Sequence, residues 1–202
     1  FRDEFIISLR QICDENEMML IMDEVQTGVG ITGKWWAHEH FSSKPDIIAF
    51  GKKTQVCGML TNSRVDDVEK NVFSESSRIN STFGGNLTDM VRFQLILEII
   101  TNENLLDNVR ERGNYLLKSL QGLTEEFPAF VTNARGLGLF AAFDLPSPTE
   151  RDKLISILLE NNLIILPSGD KSVRFRPHLN VTEEDLNRAL DIIRTSLKSV
   201  LN

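Results

Sequence analysis

Two short apolar runs that end in charged residues constrain the fold of this chain more than any other feature of its 202 residues. The run MMLIM at residues 18–22 leads into Asp23, and the run IIAF at residues 47–50 leads through a glycine into Lys52. Short continuous apolar runs are typical of strands that are covered on both faces, as in a parallel sheet. A helical pattern at residues 3–16 precedes the first run, so the order helix, strand, loop, strand predicts an α/β fold.

The periodicity changes in the second half of the chain, which predicts a second domain. Helical spacing runs from Asp89 to about Leu120, with a break near residues 102–104. We predict that residues 1–102 form the end of a large parallel-sheet domain and that residues 103–202 form a smaller α+β domain. Within the smaller domain we predict strands at 130–131, 139–143, 163–166 and 173–175, and helices at 149–161 and 182–201.

Composition and charge narrow the function classes. The chain carries 22 Lys and Arg against 29 Asp and Glu, a net charge of −7, which argues against a surface for nucleic acid or anionic membrane. No apolar run approaches the roughly 20 residues of a membrane span. The two cysteines indicate no disulfide framework, and the three histidines form no convincing ligand set. We therefore expect a cytoplasmic protein without a metal site.

Two motifs at the predicted strand ends have residues that could carry chemistry. Asp23 stands where open α/β sheets place ligand-binding groups, and its carboxylate could pair with a cationic ligand. Lys52 follows an apolar strand beside Gly51, where shielding from water disfavours the ammonium and makes the amine a better nucleophile. The alternatives are solvated carboxylates at a turn and two surface lysines, Lys52 and Lys53, at a strand end.

Two further motifs offer donors that suit anions. The run NSTFGGN at residues 80–86 has hydroxyl, amide and glycine backbone donors. In the run RFRP, Arg174 can present a planar guanidinium to a carboxylate. We expect Arg176 to be the weaker candidate, because alternation along the strand should point it to the opposite face. The alternatives are an ordinary polar loop and an arginine that is solvated or paired with a structural carboxylate.

Together, the runs DEVQTGVGITG, PDIIAFGKKTQVCG, NSTFGGN, RGLGLF and VRFRP resemble the class-III, or omega, aminotransferases over nearly the whole chain. The resemblance implies an α/β fold of the fold-type-I pyridoxal-phosphate-dependent transferases, with a large parallel-sheet domain before a smaller C-terminal α+β domain. The runs GKKTQVCG and NSTFGGNLTDMVR are most similar to the L-lysine 6-aminotransferases. The 4-aminobutyrate aminotransferases are the nearest alternative group.

The resemblance implies that pyridoxal 5′-phosphate is the cofactor and assigns residues to it. Lys52 would bind the cofactor covalently and then act as acid and base, and the small residue before it selects Lys52 over Lys53. Asp23 would face the pyridine nitrogen and hold it protonated. Val25 would pack against one face of the ring, and Gln26 would lie near the phenolic oxygen.

The resemblance also implies a homodimer and a reaction. Thr82 would donate to the cofactor phosphate of the partner subunit, and Arg174 would bind a substrate carboxylate in a bidentate pair. The implied reaction converts L-lysine and 2-oxoglutarate into 2-aminoadipate 6-semialdehyde and glutamate. Two alternatives stay open: an aminotransferase for 4-aminobutyrate or another omega-amino acid, and an inactive fragment that serves as a dimerisation module.

The first residues of the chain suggest that it is part of a longer protein. The chain begins with Phe1 and not with Met, inside a helical pattern that is already running. We interpret it as the C-terminal half of an aminotransferase. We expect it to be an incomplete enzyme alone, because the family carries its phosphate-binding loop and ring-stacking aromatic residue in the other half.

Overall fold

The structure is a computed structural model that describes residues 1–79 and 81–201, so Asn80 of the NSTFGGN motif lies outside the described residues. The chain forms two compact units, and each is described by itself. Unit 1 contains Phe1–Val29 and Lys34–Glu103, and unit 2 contains Gly30–Gly33 and the chain from Asn104 onward.

Unit 1 is built around a three-stranded sheet with the strand order β1-β2-β3. β1 and β2 are parallel, as expected, and β3 runs antiparallel to β2. The connection from β2 to β3 carries Lys52. The elements of unit 1 are α1 (Asp3–Glu15), β1 (Ile21–Asp23), β2 (Ile47–Phe50), β3 (Gly58–Thr61) and α2 (Leu87–Asn102), with short 3-10 helices at Ala37–His40 and Ser63–Asp67.

Two features of this sheet differ from the prediction. The sequence predicts no strand at residues 58–61, because Gly58–Thr61 contains only two consecutive apolar residues and so lacks the continuous apolar run that marks β2. The run MMLIM is predicted as one strand over residues 18–22, but β1 begins only at Ile21, which is 60% exposed. Among the described residues β1 pairs with β2 alone, so this apolar strand lies at the edge of the sheet.

A buried carboxylate ties together the ends of the sheet opposite to Lys52. Asp46 immediately precedes β2, and its Oδ2 accepts hydrogen bonds from the Leu20 amide at 2.8 Å and from Arg10 of α1 at 2.7 Å. Its Oδ1 accepts from the side-chain amide of Asn62, which follows β3, at 3.2 Å. One carboxylate therefore holds the chain just before β1, the start of β2 and the end of β3.

Unit 2 is a four-stranded antiparallel sheet, in the order β4-β5-β7-β6, with three helices. Its core contains fully buried side chains from the sheet and from all three helices, among them Leu116, Leu120, Phe143, Leu154 and Ile193. The elements of unit 2 are α3 (Leu105–Glu126), β4 (Thr132–Leu137), β5 (Phe140–Asp144), α4 (Pro148–Glu160), β6 (Leu166–Ser168), β7 (Ser172–Phe175) and α5 (Glu183–Leu201).

The predicted break in the long helical region is confirmed, because α2 ends at Asn102 and α3 begins at Leu105. Asn104 between them has a left-handed backbone with φ of 51°, a conformation that asparagine tolerates better than most residues. The strand predicted at residues 130–131 is wrong. Both residues are buried at a turn after α3, and the pairing of β4 starts at Thr132.

Replacing Asp46 tests its role as the anchor of the sheet. Burial opposes ionisation of Asp46, but hydrogen bonds from Leu20, Arg10 and Asn62 outweigh burial and hold its pKa below the ordinary value of 3.8. Asp46→Asn leaves Arg10 without this partner, so we expect a loss of about 3 kcal/mol in the free energy of unfolding at pH 7. Urea denaturation measures this loss.

The pH dependence follows from the sign of the pKa shift. A lowered pKa in the folded state stabilises the protein above pH 3.8, and this contribution disappears as the pH falls through the folded-state pKa. The difference between the wild type and Asp46→Asn should therefore shrink in acid. Asp14→Asn is the control, because Asp14 pairs with the same Arg10 but is 53% exposed. An equal loss in both variants would contradict the anchoring role.

Candidate active site

The parallel pairing of β1 and β2 brings Asp23 and Lys52 to the same edge of the unit 1 sheet. Asp23, the last residue of β1, is in register with Ala49, and Lys52 lies two residues beyond the end of β2. The ladder closes with a hydrogen bond from the Glu24 amide to the Ala49 carbonyl at 2.8 Å. Both Asp23 and Lys52 are exposed at this edge. Carboxyl ends of parallel strands are where open α/β sheets bind ligands.

The two adjacent carboxylates after β1 have different environments. Asp23 is exposed, and its Oδ1 accepts a hydrogen bond from the Val25 amide at 3.0 Å. Glu24 is only 3% exposed. Its two oxygens accept from the amides of Ala37 and His38, at 2.5 and 2.8 Å, at the start of a 3-10 helix. Glu24 therefore holds a distant segment in place and leaves Asp23 as the carboxylate that can meet a ligand.

Two glycines near this edge make room for an aromatic cluster. The Trp36 and Phe50 rings have centroids 5.7 Å apart, and Phe50 stacks on Phe93 at 5.6 Å. A Cβ on Gly28 would lie 2.8 Å from the Trp36 ring, and a Cβ on Gly58 would lie 2.5 Å from the Phe50 ring. The glycines of the DEVQTG and QVCG runs therefore allow these rings to pack beneath the strand ends.

The turn that carries Lys52 is held by its own residues. The buried Thr54 hydroxyl lies 2.5 Å from the Gly51 carbonyl and 2.7 Å from the Val56 carbonyl, so it can donate to either. A Cβ on Gly51 would lie 3.0 Å from Sγ of Cys57, so a small residue suits this position. Lys52 itself is exposed. A compact turn thus fixes the backbone of Lys52 while its side chain points to solvent.

The second lysine has a bonding partner across the site. The Lys53 ammonium donates to the Gln26 carbonyl at 2.8 Å, and Lys53 is half-buried. The interpretation of Lys53 as a surface lysine is therefore wrong. Glu24 had no predicted role of its own. The only sequence signal for Glu24 and Lys53 was the doublets Asp23-Glu24 and Lys52-Lys53, two adjacent like charges each, and a doublet does not show which member is buried.

Thr82 belongs to a different segment of the chain from these two turns. It is exposed on the turn that precedes α2, and α2 is capped by Asn86, whose side chain accepts from the Thr88 amide at 2.9 Å. The phosphate role of Thr82 across a dimer stays a prediction.

Arg174 lies on β7 of unit 2, between β5 and β6. Its neighbours Val173 and Phe175 point into the core, so Arg174 faces away from the core and is half-buried. Its Nε is buried and has no hydrogen-bond partner within the part of the chain that the structure describes. Residues two apart share a strand face, so alternation does not separate Arg174 from Arg176. The difference is that β7 ends at Phe175 and Arg176 is exposed.

Comparison with known proteins identifies the family. Residues 1–197 match the family model described as aminotransferase class-III. The chain belongs to the class-III aminotransferases. The L-lysine-epsilon aminotransferase of Mycobacterium tuberculosis is 49% identical over 200 residues, which cover 99% of this chain and 44% of that protein. The 4-aminobutyrate aminotransferase of Dictyostelium discoideum is 36% identical over 198 residues, covering 97% of this chain and 39% of that protein.

A solved structure supports the fold assignment. The lysine aminotransferase from M. tuberculosis in the internal aldimine form matches with a TM-score of 0.96 and 49% identity, over 99% of this chain and 46% of that one. The predicted α/β fold of a fold-type-I transferase and the similarity to lysine aminotransferases are thereby confirmed. The chain spans less than half the length of these relatives.

The residues of this class-III chain fit pyridoxal phosphate, the cofactor of the family. The exposed carboxylate of Asp23 could pair with the pyridine nitrogen of the cofactor, and the exposed amine of Lys52 could react with its aldehyde carbon. The branched side chain of Val25 could pack on the ring. Among the described residues, no group of three or more His, Cys, Asp or Glu could hold a metal ion. Nor is any helix in the described ranges long and apolar enough to cross a membrane.

Gly28→Ala tests whether close packing supports the turn after β1. The added Cβ would lie 2.8 Å from both the Glu24 carbonyl oxygen and the Trp36 ring, so backbone or ring must move. We expect a loss of about 1–3 kcal/mol in the free energy of unfolding, measured by urea denaturation. Gly122→Ala is the control, since nothing lies within 4 Å of a Cβ there. This variant should gain up to about 1 kcal/mol, because Gly122 lies inside a helix. Equal stability of Gly28→Ala and the wild type would show that the close contact is relieved without cost.

Proposed function

We propose that this chain carries the lysine-bearing part of a pyridoxal-phosphate-dependent aminotransferase. In the proposed reaction, the terminal amino group of L-lysine is transferred to 2-oxoglutarate, which gives glutamate and 2-aminoadipate 6-semialdehyde. The observation that carries the proposal is the shared sheet edge of Asp23 and Lys52 in a class-III chain. The 49% identity to a protein named L-lysine-epsilon aminotransferase supports the choice of amino donor.

Each residue at the sheet edge has a distinct task in this proposal. The bound cofactor supplies an electron sink that stabilises a substrate carbanion. Lys52 holds the cofactor covalently until the substrate amine replaces it, and its freed amine then moves a proton to or from the substrate carbon. Asp23 keeps the pyridine nitrogen protonated, because an adjacent carboxylate favours the charged form of that nitrogen. Val25 packs on the ring and Gln26 lies at its phenolic oxygen.

Substrate recognition is assigned to Arg174. The α-carboxylate of 2-oxoglutarate is bonded directly to its reacting C2, whereas that of L-lysine is five bonds from the reacting C6. We therefore assign Arg174 to the α-carboxylate of 2-oxoglutarate. The buried Nε of Arg174 without a partner among the described residues supports this assignment, because such a donor gains a bond when a carboxylate binds. We also propose a homodimer, in which Thr82 donates to the cofactor phosphate of the partner subunit.

Two other functions are distinguished by experiment. The 36% identity to a 4-aminobutyrate aminotransferase supports 4-aminobutyrate, a shorter donor without an α-amino group. Comparing L-lysine with 4-aminobutyrate as donors for the intact protein decides between them, and faster turnover of L-lysine is expected. A dimerisation module without activity would show neither turnover nor cofactor absorbance.

Lys52→Ala tests the covalent site in the intact protein. We expect loss of transamination and of the cofactor's visible absorbance band, because no primary amine remains at the proposed position. Borohydride reduction followed by peptide mapping should place the cofactor on Lys52 in the wild type. Lys53→Ala should still be labelled at saturating cofactor. A reduced adduct on Lys53 in the wild type would refute the assignment.

Arg174→Lys tests carboxylate recognition. An ammonium cannot reproduce the planar two-point contact of a guanidinium. We expect KM for 2-oxoglutarate to rise roughly 30-fold, equivalent to about 2 kcal/mol for one charge-assisted contact. Arg176→Lys, on the exposed residue after β7, is the matched control and should change KM little. A large defect in Arg176→Lys with normal kinetics in Arg174→Lys would reverse the assignment.

A further inference from the structure

Lys53 forms a bond between the two turns that carry the proposed cofactor-binding residues. Its ammonium donates to the Gln26 carbonyl at 2.8 Å, although the two residues are 27 positions apart. Lys53 belongs to the turn after β2, and Gln26 belongs to the turn after β1. Hydrogen bonds with one charged partner are shorter and about twice as strong as neutral ones.

This bond lies beyond the last hydrogen bond of the parallel ladder. Pairing of β1 with β2 ends at Asp23 and Ala49, and the Glu24 amide makes one more bond to the Ala49 carbonyl. Beyond Glu24 and Ala49, no ladder hydrogen bond sets the distance between the two segments that follow β1 and β2. The bond from Lys53 to Gln26 restrains them again, three residues past Asp23.

The restraint reaches Lys52 through a rigid turn. The Thr54 amide donates to the Gly51 carbonyl at 2.9 Å, and the Thr54 hydroxyl lies within bonding distance of the same oxygen. Holding Lys53 therefore also fixes the backbone of Lys52. Lys52 is exposed, whereas Lys53 is half-buried against the neighbouring turn. Two adjacent residues of one type thus have separate tasks.

We propose that Lys53 is a positioning residue that holds the turn of Val25 and Gln26 at a fixed separation from Lys52. This inference rests on the proposed function, because Val25 and Gln26 are there assigned to the cofactor ring. Without the bond, the turn after β1 stays folded through Glu24 but varies in its distance from Lys52. Cofactor binding must then order the turn, and its affinity falls.

Lys53→Met in the intact protein tests the proposal, since methionine keeps an unbranched stem and removes the donor. In the cofactor-free form, hydrogen exchange should become at least about 10-fold faster at the amides of Val25 and Gly28. The Kd for pyridoxal phosphate should rise about 10-fold, equivalent to about 1.4 kcal/mol. Lys53→Arg, which keeps a charged donor, should restore both values to within about 3-fold of the wild type.

Lys44→Met is the matched control, because Lys44 is exposed in the segment before β2. Without cofactor, the Tm of Lys44→Met and the Tm of Lys53→Met should agree within about 2 °C. Loss of the bond from Lys53 to Gln26 should change the local order of the turn and not the global stability of the protein. Unchanged exchange and Kd in Lys53→Met would overturn the proposal. Equal defects in the Arg and Met variants, or faster exchange throughout unit 1 with a lower Tm, would also overturn it. If the wild type binds no pyridoxal phosphate, the proposed function fails, whereas the exchange comparison still decides the role of Lys53.

Discussion

The parallel register of β1 with β2 is the constraint on which the candidate site depends. Register fixes which residues leave the sheet side by side, and a slip of one residue would turn every side chain of a strand to the other face. Asp46 holds this register from the opposite end of the strands, since it accepts from the Leu20 amide before β1 while it precedes β2. A structural carboxylate at one end of the sheet thus fixes where Asp23 and Lys52 emerge at the other.

Close packing beneath the strand ends makes the same edge rigid. Trp36 and Phe50 contact each other, and each ring lies where a side chain on Gly28 or Gly58 would otherwise be. The two glycines therefore contribute to the candidate site by leaving space for these rings, although they offer no functional group. Glu24 stabilises the same region through polar contacts, because its buried carboxylate accepts hydrogen bonds from two backbone amides at the start of a 3-10 helix.

The sequence predicts the features that depend on local pattern and not those that depend on distant partners. The two apolar runs predicted strands of a parallel sheet that end next to Asp23 and Lys52, and the parallel pairing of β1 and β2 confirms that part of the fold. β3 was not predicted because Gly58–Thr61 has only two consecutive apolar residues, unlike the continuous apolar run of β2. The burial of Glu24 escaped it because the amides that Glu24 binds lie 13 and 14 residues farther along the chain.

The two charged doublets of the candidate site, Asp23-Glu24 and Lys52-Lys53, each place an exposed charged residue beside one that faces inward. Where a chain leaves a sheet, consecutive side chains point in different directions, so one member of a doublet can face solvent while the next turns inward. Asp23 is exposed and Glu24 is buried, and Lys52 is exposed while Lys53 bonds to Gln26. In each doublet the inward residue binds backbone groups of another segment. In the proposed reaction Lys52 changes its bonding partner, so a restraint on its turn has to come from a neighbouring residue, which is the task that we propose for Lys53.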